Sequence, residues 1–295
     1  MPPIEIDQRL SGSNTLITDV PQMLQNLPAL PTVSTRLLAM MGRPDLDLKA
    51  VGTLISSDGV LTAEVLRIAN SSMFGLRSEV RSVLQAIAFL GLERTKALAC
   101  TVAIKNYLGN ALQIPALQRA WRHSLAVAVL ADELANWTQA DGAEAYTAGI
   151  LHDLGALGLI AMSPARYLTL LDEAASTGIP VIELERTYYG VDHCEAGGFL
   201  AGVWNLPAFM GEVMRLHHAP LTQAPFTLLG LNHYASRGAD LLGFSVANRP
   251  LPDPPSPNAL EEFHEQLAPR QKERVTLNMT DLQLLVATRV NAMES

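Results

Sequence analysis

The sequence predicts an all-α protein, an N-terminal helical subdomain packed on a helical bundle, on three observations. Hydrophobic residues make up 48% of the 295 residues but aromatics only 5%, so the core is built from Leu, Ala, Val, Ile and Met, a composition that suits helices better than sheets. No segment sustains the period-two alternation of a half-buried strand. Helix punctuation recurs along the chain: Asp47, Asp58 and Ser82 each precede an apolar face, and Gly91, Gly109 and Gly178 each follow one.

The elements follow in order. Residues 1–20, with Ser11, Gly12, Ser13 and Asn14 together, read as a mobile leader, and order is expected to begin near Pro21. Residues 21–110 read as the N-terminal helical subdomain. Within it Asp47 caps a helix carrying Leu48, Val51, Leu54 and Ile55 on one face, and Asp58 caps the next, with Leu61, Val65, Leu66 and Ala69 behind it. Ser82 opens a helix stopped by Gly91, and a further helix over 92–108 ends at Gly109. Residues 111–245 read as a second helical subdomain, with long helices over 115–136 and 143–161. A helix opened by Ser163-Pro164 ends at Gly178, and shorter ones follow over 181–188, 192–204, 207–217 and 226–242. Residues 246–258 are a proline-dense, semi-rigid connector. Residues 259–295 predict two amphipathic helices, around Leu260, Phe263 and Leu267 and around Leu282, Leu285, Val286 and Val290, that pack back on the bundle. A regulatory or dimerising appendage is the competing expectation.

Charge narrows the partners. The formal net charge is −8, from 29 acidic and 21 basic residues, and no lysine- or arginine-rich run offsets it. Generic nucleic-acid binding is therefore disfavoured, whereas a small anionic ligand in a pocket of its own charge is not. The two cysteines, Cys100 and Cys194, form no CxxC pattern and suit a reducing cytosol. The N-terminus lacks the pattern of a signal peptide, and no uninterrupted apolar stretch suggests a bilayer span. The expectation is a cytoplasmic protein without membrane contact.

The histidines carry the chemistry. His123 has Ala120, Ala126 and Val127 as helical neighbours, and His152 has Ala145, Ala148, Gly149, Gly155 and Ala156 within two turns. His193 is followed by Ala196 and Gly197, and His217 shares a stripe with Met210, Val213 and Met214. Imidazoles converging on such small-residue faces need a cation or a hydrogen-bond network to satisfy their nitrogens. Asp153, beside His152, adds a carboxylate able to bridge two ions, and imidazole with carboxylate suits Fe, Mn, Zn or Ni better than Mg or Ca. His233 and His264 fall outside the pattern and are expected to face solvent, and Cys194 is expected to be buried as a small apolar residue.

An ordered set of motifs resembles a known family. Leu27-Pro28-Ala29-Leu30-Pro31 comes first, then Ile55 to Thr62 leading into Arg67-Ile68-Ala69-Asn70-Ser71-Ser72-Met73-Phe74-Gly75, then Ala86-Ile87-Ala88-Phe89-Leu90-Gly91-Leu92. Trp121-Arg122-His123-Ser124, Gly149-Ile150-Leu151-His152-Asp153-Leu154-Gly155, Tyr189-Gly190-Val191-Asp192-His193, Trp204-Asn205-Leu206-Pro207 and His217-His218 complete it. Over about residues 21 to 245 the chain resembles the HDOD family, the HD-related output domains of bacterial signalling proteins, which are similar to HD and HD-GYP phosphohydrolases.

The resemblance implies an HD-like bundle for the second subdomain and metal ligands at His123, His152, Asp153, His193, His217 and His218, holding a divalent transition metal (Fe, Mn or Zn) at a mononuclear or binuclear centre. It also marks departures from the enzymes: Ala156 stands where they carry a phosphate-handling lysine, and Ser236 falls at their last aspartate ligand. Arg119 replaces a glutamate ligand, and the Gly-Tyr-Pro loop is missing after His218. The leading expectation is a signal-transduction output module that binds metal without efficient catalysis and engages a signalling protein partner or a second copy of itself. The alternative is a metal-dependent phosphohydrolase acting on a nucleotide or cyclic dinucleotide, with Asp153 in the catalytic centre and Arg119, Arg122 or Arg215 on phosphate. A sensor that reads the metal or its redox state is a third expectation.

Overall fold

A computed structural model of the chain describes residues 24, 27, 30–40, 47–71, 74–75, 78–221, 226–247, 259–275 and 277–294. The expected leader, the start of order at Pro21 and most of the proline-dense connector lie outside the described residues. Among the described residues there is no strand.

Short polar side chains start the N-terminal helices as their sequence suggests. After α1 (Thr32–Ala39), the carboxylates of Asp47 and Asp58 accept from the backbone N–H groups of Lys49 and Leu61, opening α2 (Leu48–Ser56) and α3 (Gly59–Ala69). Ser82 does the same for α4 (Val83–Leu90) through the N–H of Gln85. Gly91, at φ +88°, makes the turn into α5 (Leu92–Leu108), a conformation that favours glycine.

A long central helix, α6 (Pro115–Thr138), organises the bundle and ends at Gln139 in the left-handed region. Against it pack α7 (Gly142–Leu151), α8 (Leu154–Met162) and α9 (Pro164–Thr177), then, after α10 (Val181–Tyr189), α11 (His193–Val203) and α12 (Ala208–Leu216), which pack on these, α13 (Leu228–Leu241). The tail adds α14 (Ala259–Glu265), the single turn α15 (Pro269–Lys272) and α16 (Met279–Glu294).

Two expectations are corrected here. The helix read over 143–161 is two helices, broken at His152 and Asp153, where Asp153 takes φ −105° and ψ 20°. In an unbroken helix consecutive side chains diverge by about 100°; the break lets both line one cavity. Moreover, segment 142–162 is long and apolar enough by composition to cross a bilayer, contrary to the sequence reading. Its apolar stretch is buried inside the protein, the position of a core helix pair.

Small residues set the spacing of that core. A Cβ added at Gly149 on α7 would lie 2.6 Å from Ala128 Cα and 2.8 Å from Ala128 N on α6. One added at Gly155 on α8 would lie 1.9 Å from the carbonyl oxygen of His193 and 2.5 Å from Gly197 N on α11. These helices meet backbone to backbone, which leaves room for larger side chains only where the site lies. One continuous apolar core joins Leu37, Ile55 and Ile104 of the N-terminal helices to Trp121 and Leu130 of α6 and Leu151 and Leu159 of α7 and α8.

The tail belongs to the same core. Leu260, Phe263, Leu267, Leu282, Val286 and Val290 are all buried in it, so the tail packs back as expected. The last turn of α16 is held from three helices. Arg67 of α3 donates to Ala292 O at 3.3 Å, Lys105 of α5 donates to Met293 O at 3.0 Å and Glu294 O at 3.1 Å, and Arg122 of α6 pairs with the Glu294 carboxylate.

Replacing Gly149 by alanine is expected to destabilise the fold by about 1–3 kcal/mol or more, because the obstructing atoms are backbone. Gly59→Ala, where an added Cβ meets nothing within 4 Å, is the control and should leave stability unchanged or raised. Urea denaturation midpoints of the two variants check the contrast; equal midpoints would refute the close-approach argument.

Candidate metal centre

Six donors converge on one cavity. His123 comes from the middle of α6, while His152 ends α7 and Asp153 begins α8. His193 is the first residue of α11, set there by a capping box in which Asp192 accepts from Glu195 N at 2.8 Å and Glu195 accepts from Asp192 N at 3.1 Å. His217 ends α12 and His218 follows it. Ring centroids are 5.4 Å apart for His123–His152, 4.9 Å for His152–His217, 5.4 Å for His193–His217 and 4.4 Å for His217–His218. His123, His152 and Asp153 form one group whose donor atoms lie within 4.8 Å of one another, and His193, His217 and His218 form a second. Asp153 joins them: its Oδ1 is 3.7 Å from His193 Nε2 and 3.9 Å from His217 Nε2. All the residues that the sequence and the family resemblance proposed as ligands are thus brought together, with His218 more exposed than the rest.

Each buried ring is held by its far nitrogen. His152 Nδ1 lies 2.7 Å from Gly149 O, and His217 Nδ1 lies 3.1 Å from Met214 O. His123 Nδ1 lies 2.9 Å from Phe244 O and 3.4 Å from the Asp240 carboxylate. For His193 the partner is Glu185 of α10, fully buried, whose Oε2 is 2.6 Å from Nδ1 and also accepts from the His193 backbone N–H at 2.9 Å. Tyr167 donates to the other Glu185 oxygen at 2.6 Å. With Nδ1 of each ring turned to these acceptors, the Nε2 atoms of His152, His193 and His217 are left for the cavity.

The buried polar atoms without a hydrogen-bond partner among the described residues include His152 Nε2, Asp153 Oδ1, His193 Nε2 and His217 Nε2. Such atoms normally find partners. Their convergence fits a divalent ion, and the nitrogen–oxygen donor set suits Fe, Mn or Zn.

Electrostatics prepare the donors. Burial lowers the His152 pKa to about 4 against the pull of Asp153, and burial with the neighbouring imidazoles holds His217 well below its ordinary range. Both rings are neutral near pH 7. Burial alone would raise the Asp153 carboxyl, but His193 and the other imidazoles keep it below its usual value and ionised. At His193 burial opposes the charged ring and the Glu185 carboxylate prevails, raising the pKa well above the ordinary value.

The cavity, about 170 Å³, is also lined by His233, Ser236, Arg237 and Asp240 of α13. His233 was expected in solvent; it is buried, with Nδ1 3.2 Å from His217 O. His264 is half-buried, its Nε2 3.2 Å from Val275 O and its ring edge-on to Trp137. A polar face turned to a polar cavity reads in sequence like a solvated face, which is why His233 was misplaced. The arginines expected on phosphate are elsewhere: Arg119 donates to Val246 O at 2.9 Å, Arg122 pairs with Glu294, and exposed Arg215 lies along Gly198 and Gly211. Glu185 was missed, although Val181, Leu184 and Tyr188 at helical spacing put it on an apolar face. Cys194 is buried as expected, its sulfur 4.0 Å from His217 Nδ1.

A family model for the HDOD domain matches residues 27–220. An uncharacterized protein of Treponema pallidum is 28% identical over 207 residues, 69% of this chain; the chain spans 40% of that curated relative's length. Among solved structures, an HDOD domain protein of unknown function from Geobacter sulfurreducens aligns at TM-score 0.67 and 22% identity, covering 90% of this chain and 92% of the other. A protein from Shewanella amazonensis, provisionally named a phosphohydrolase, aligns at TM-score 0.68 and 25% identity, covering 92% and 95%.

The depressed pKa of His152 predicts acid sensitivity of the metal-free protein. The unfolded ring takes up its proton near pH 6.5, the folded ring only near pH 4, so falling pH favours the unfolded chain. The stability held by neutral His152 is fully present above about pH 6.5 and drains away as pH falls toward 4. Urea midpoints of wild type and His152→Gln should therefore converge or cross as pH falls from 7 to 4. A difference that stays constant over that range would show that the ring is not buried neutral.

Proposed function

We propose that this chain, which belongs to the HDOD family, is a signalling output module whose His/Asp centre holds a divalent transition metal for binding rather than for efficient turnover. The observation that supports this most is the set of unsatisfied atoms, His152 Nε2, Asp153 Oδ1, His193 Nε2 and His217 Nε2. Leaving one buried polar atom unpaired costs about 1–3 kcal/mol, and a domain's whole stability is about 5–15 kcal/mol. Four such atoms aimed at one space are consistent with a shared cation.

The chain's own residues would do the holding. His123, His152 and Asp153 supply one half of the centre, His193, His217 and His218 the other, and Asp153 stands between them. The Nδ1 acceptors keep the rings from turning, and Glu185 makes His193 the more basic donor. A bound divalent ion would supply Lewis acidity toward an oxyanion ligand.

Weak turnover is supported by what stands around the centre. Ala156 carries no charge at the position of the enzymes' lysine, Ser236 offers a hydroxyl in place of a carboxylate, and Arg119 and Arg122 are committed elsewhere. The output in this reading is a contact with a signalling protein or with a second copy of the chain, in the cytoplasm. A phosphohydrolase of nucleotides or cyclic dinucleotides is the second reading, favoured by the likeness to the Shewanella amazonensis protein provisionally named a phosphohydrolase.

Elemental analysis of protein purified without chelator, beside a His152→Ala, Asp153→Ala double variant, tests the proposal. Roughly stoichiometric Fe, Mn or Zn is expected, lost in the double variant. No metal after supplemented growth, with no thermal shift on adding it, would overturn the metal reading, while phosphodiester turnover by the loaded protein would favour the enzyme. Glu185→Gln is expected to weaken metal affinity about 10–100-fold in competition with a chromophoric chelator.

A further inference from the structure

The cavity-facing side of α13 carries His233, Ser236, Arg237 and Asp240, at the 0, 3, 4, 7 spacing of one helical face. Two of the four are committed to the metal centre's surroundings. His233 Nδ1 lies 3.2 Å from His217 O, and the Asp240 carboxylate lies 3.4 Å from His123 Nδ1. The other two are unpaired among the described residues. Ser236 and Arg237 make no side-chain hydrogen bond or ion pair with the described residues, in a protein that pairs Arg67, Arg94, Arg122, Arg186 and Arg289 with carboxylates. A guanidinium lining a cavity, without a carboxylate of its own, has its planar array of donors available to a ligand, and that geometry matches phosphoryl oxygens.

We infer that Arg237 and Ser236 form an oxyanion subsite in the cavity of the His/Asp centre, for inorganic phosphate or a small phosphomonoester. The inference deepens the metal-centre reading and rests on it for the ligand's far side. The size of the cavity sets the class. Its volume of about 170 Å³ is below the roughly 300–1,000 Å³ of pockets that enclose drug-sized ligands, so the group it encloses is one phosphoryl with a small substituent. Leu171, Pro180, Val181 and Ile182 of the wall give the substituent an apolar surround.

Isothermal titration of the full chain with inorganic phosphate, then with phenyl phosphate, tests this, with the metal content of the same sample measured in parallel. Saturable binding is expected, weakened about tenfold or more in Arg237→Ala, partly restored in Arg237→Lys and unchanged in Arg215→Ala, all with wild-type metal content. Ser236→Ala, a milder change, should weaken phosphate in the same direction. Wild-type phosphate affinity in Arg237→Ala would overturn the subsite, as would metal-loaded protein that binds no phosphate. Phosphate binding that depends on Arg237 in a metal-free sample would keep the subsite and remove the metal reading, whereas absence of both would overturn both. A cyclic dinucleotide that binds more tightly than phosphate and displaces it would overturn the size limit.

Discussion

A buried imidazole has two nitrogens to satisfy, and the way this chain satisfies one of them fixes where the other points. At His152 and His217 the ring's Nδ1 turns back to a carbonyl three residues earlier, Gly149 O and Met214 O, within the helix that each histidine terminates. The last carbonyls of a helix have no N–H partner within it. The ring N–H that satisfies such a carbonyl also orients the ring, so helix ending and donor orientation are one interaction. Lengthening either helix by a turn would remove the free carbonyl and the ring's anchor together. His193 solves the same problem at the opposite end of a helix, where the neighbouring carbonyls are not available. There a buried carboxylate, Glu185, bonds both the first backbone N–H and the ring, with Tyr167 holding its other oxygen.

This arrangement needs helices closer than ordinary side chains allow. Gly149 brings α7 onto α6, and Gly155 brings α8 onto α11 at the peptide following His193. The donors from five separate helices reach one space because the surrounding residues are too small to hold the helices apart. Since the apolar core runs without interruption from the N-terminal helices to the tail, the spacing of the donors is tied to the packing of the whole molecule rather than to one loop.

How much of this the sequence disclosed depended on whether a residue's role leaves a local mark. Asp47, Asp58 and Ser82 act within three residues of themselves, and their helices start where their chemistry said. His123, His152, His193 and His217 stood out because large polar rings sat among Ala and Gly. The break at His152–Asp153 left no Gly or Pro in the dipeptide to reveal it, so 143–161 read as one helix. Arg119 and Arg122 look alike in sequence to a phosphate-binding residue; only the fold shows that their partners are Val246 O and Glu294. Arg237 and Asp240 were hidden for the converse reason, since nothing in a polar helix face says whether it looks onto water or onto a cavity.

The last turn of α16 is gripped by cations on its carbonyl oxygens, Arg67 on Ala292 and Lys105 on Met293 and Glu294. A helix carries partial negative charge at its C-terminal end and partial positive charge at its N-terminal end. These cations therefore recognise direction as well as presence. A helix laid in the same groove the other way round would offer them N–H groups and be repelled, so hydrophobic matching alone does not decide how the tail docks. The apolar residues of α16 would tolerate two orientations, and the cations reduce them to one.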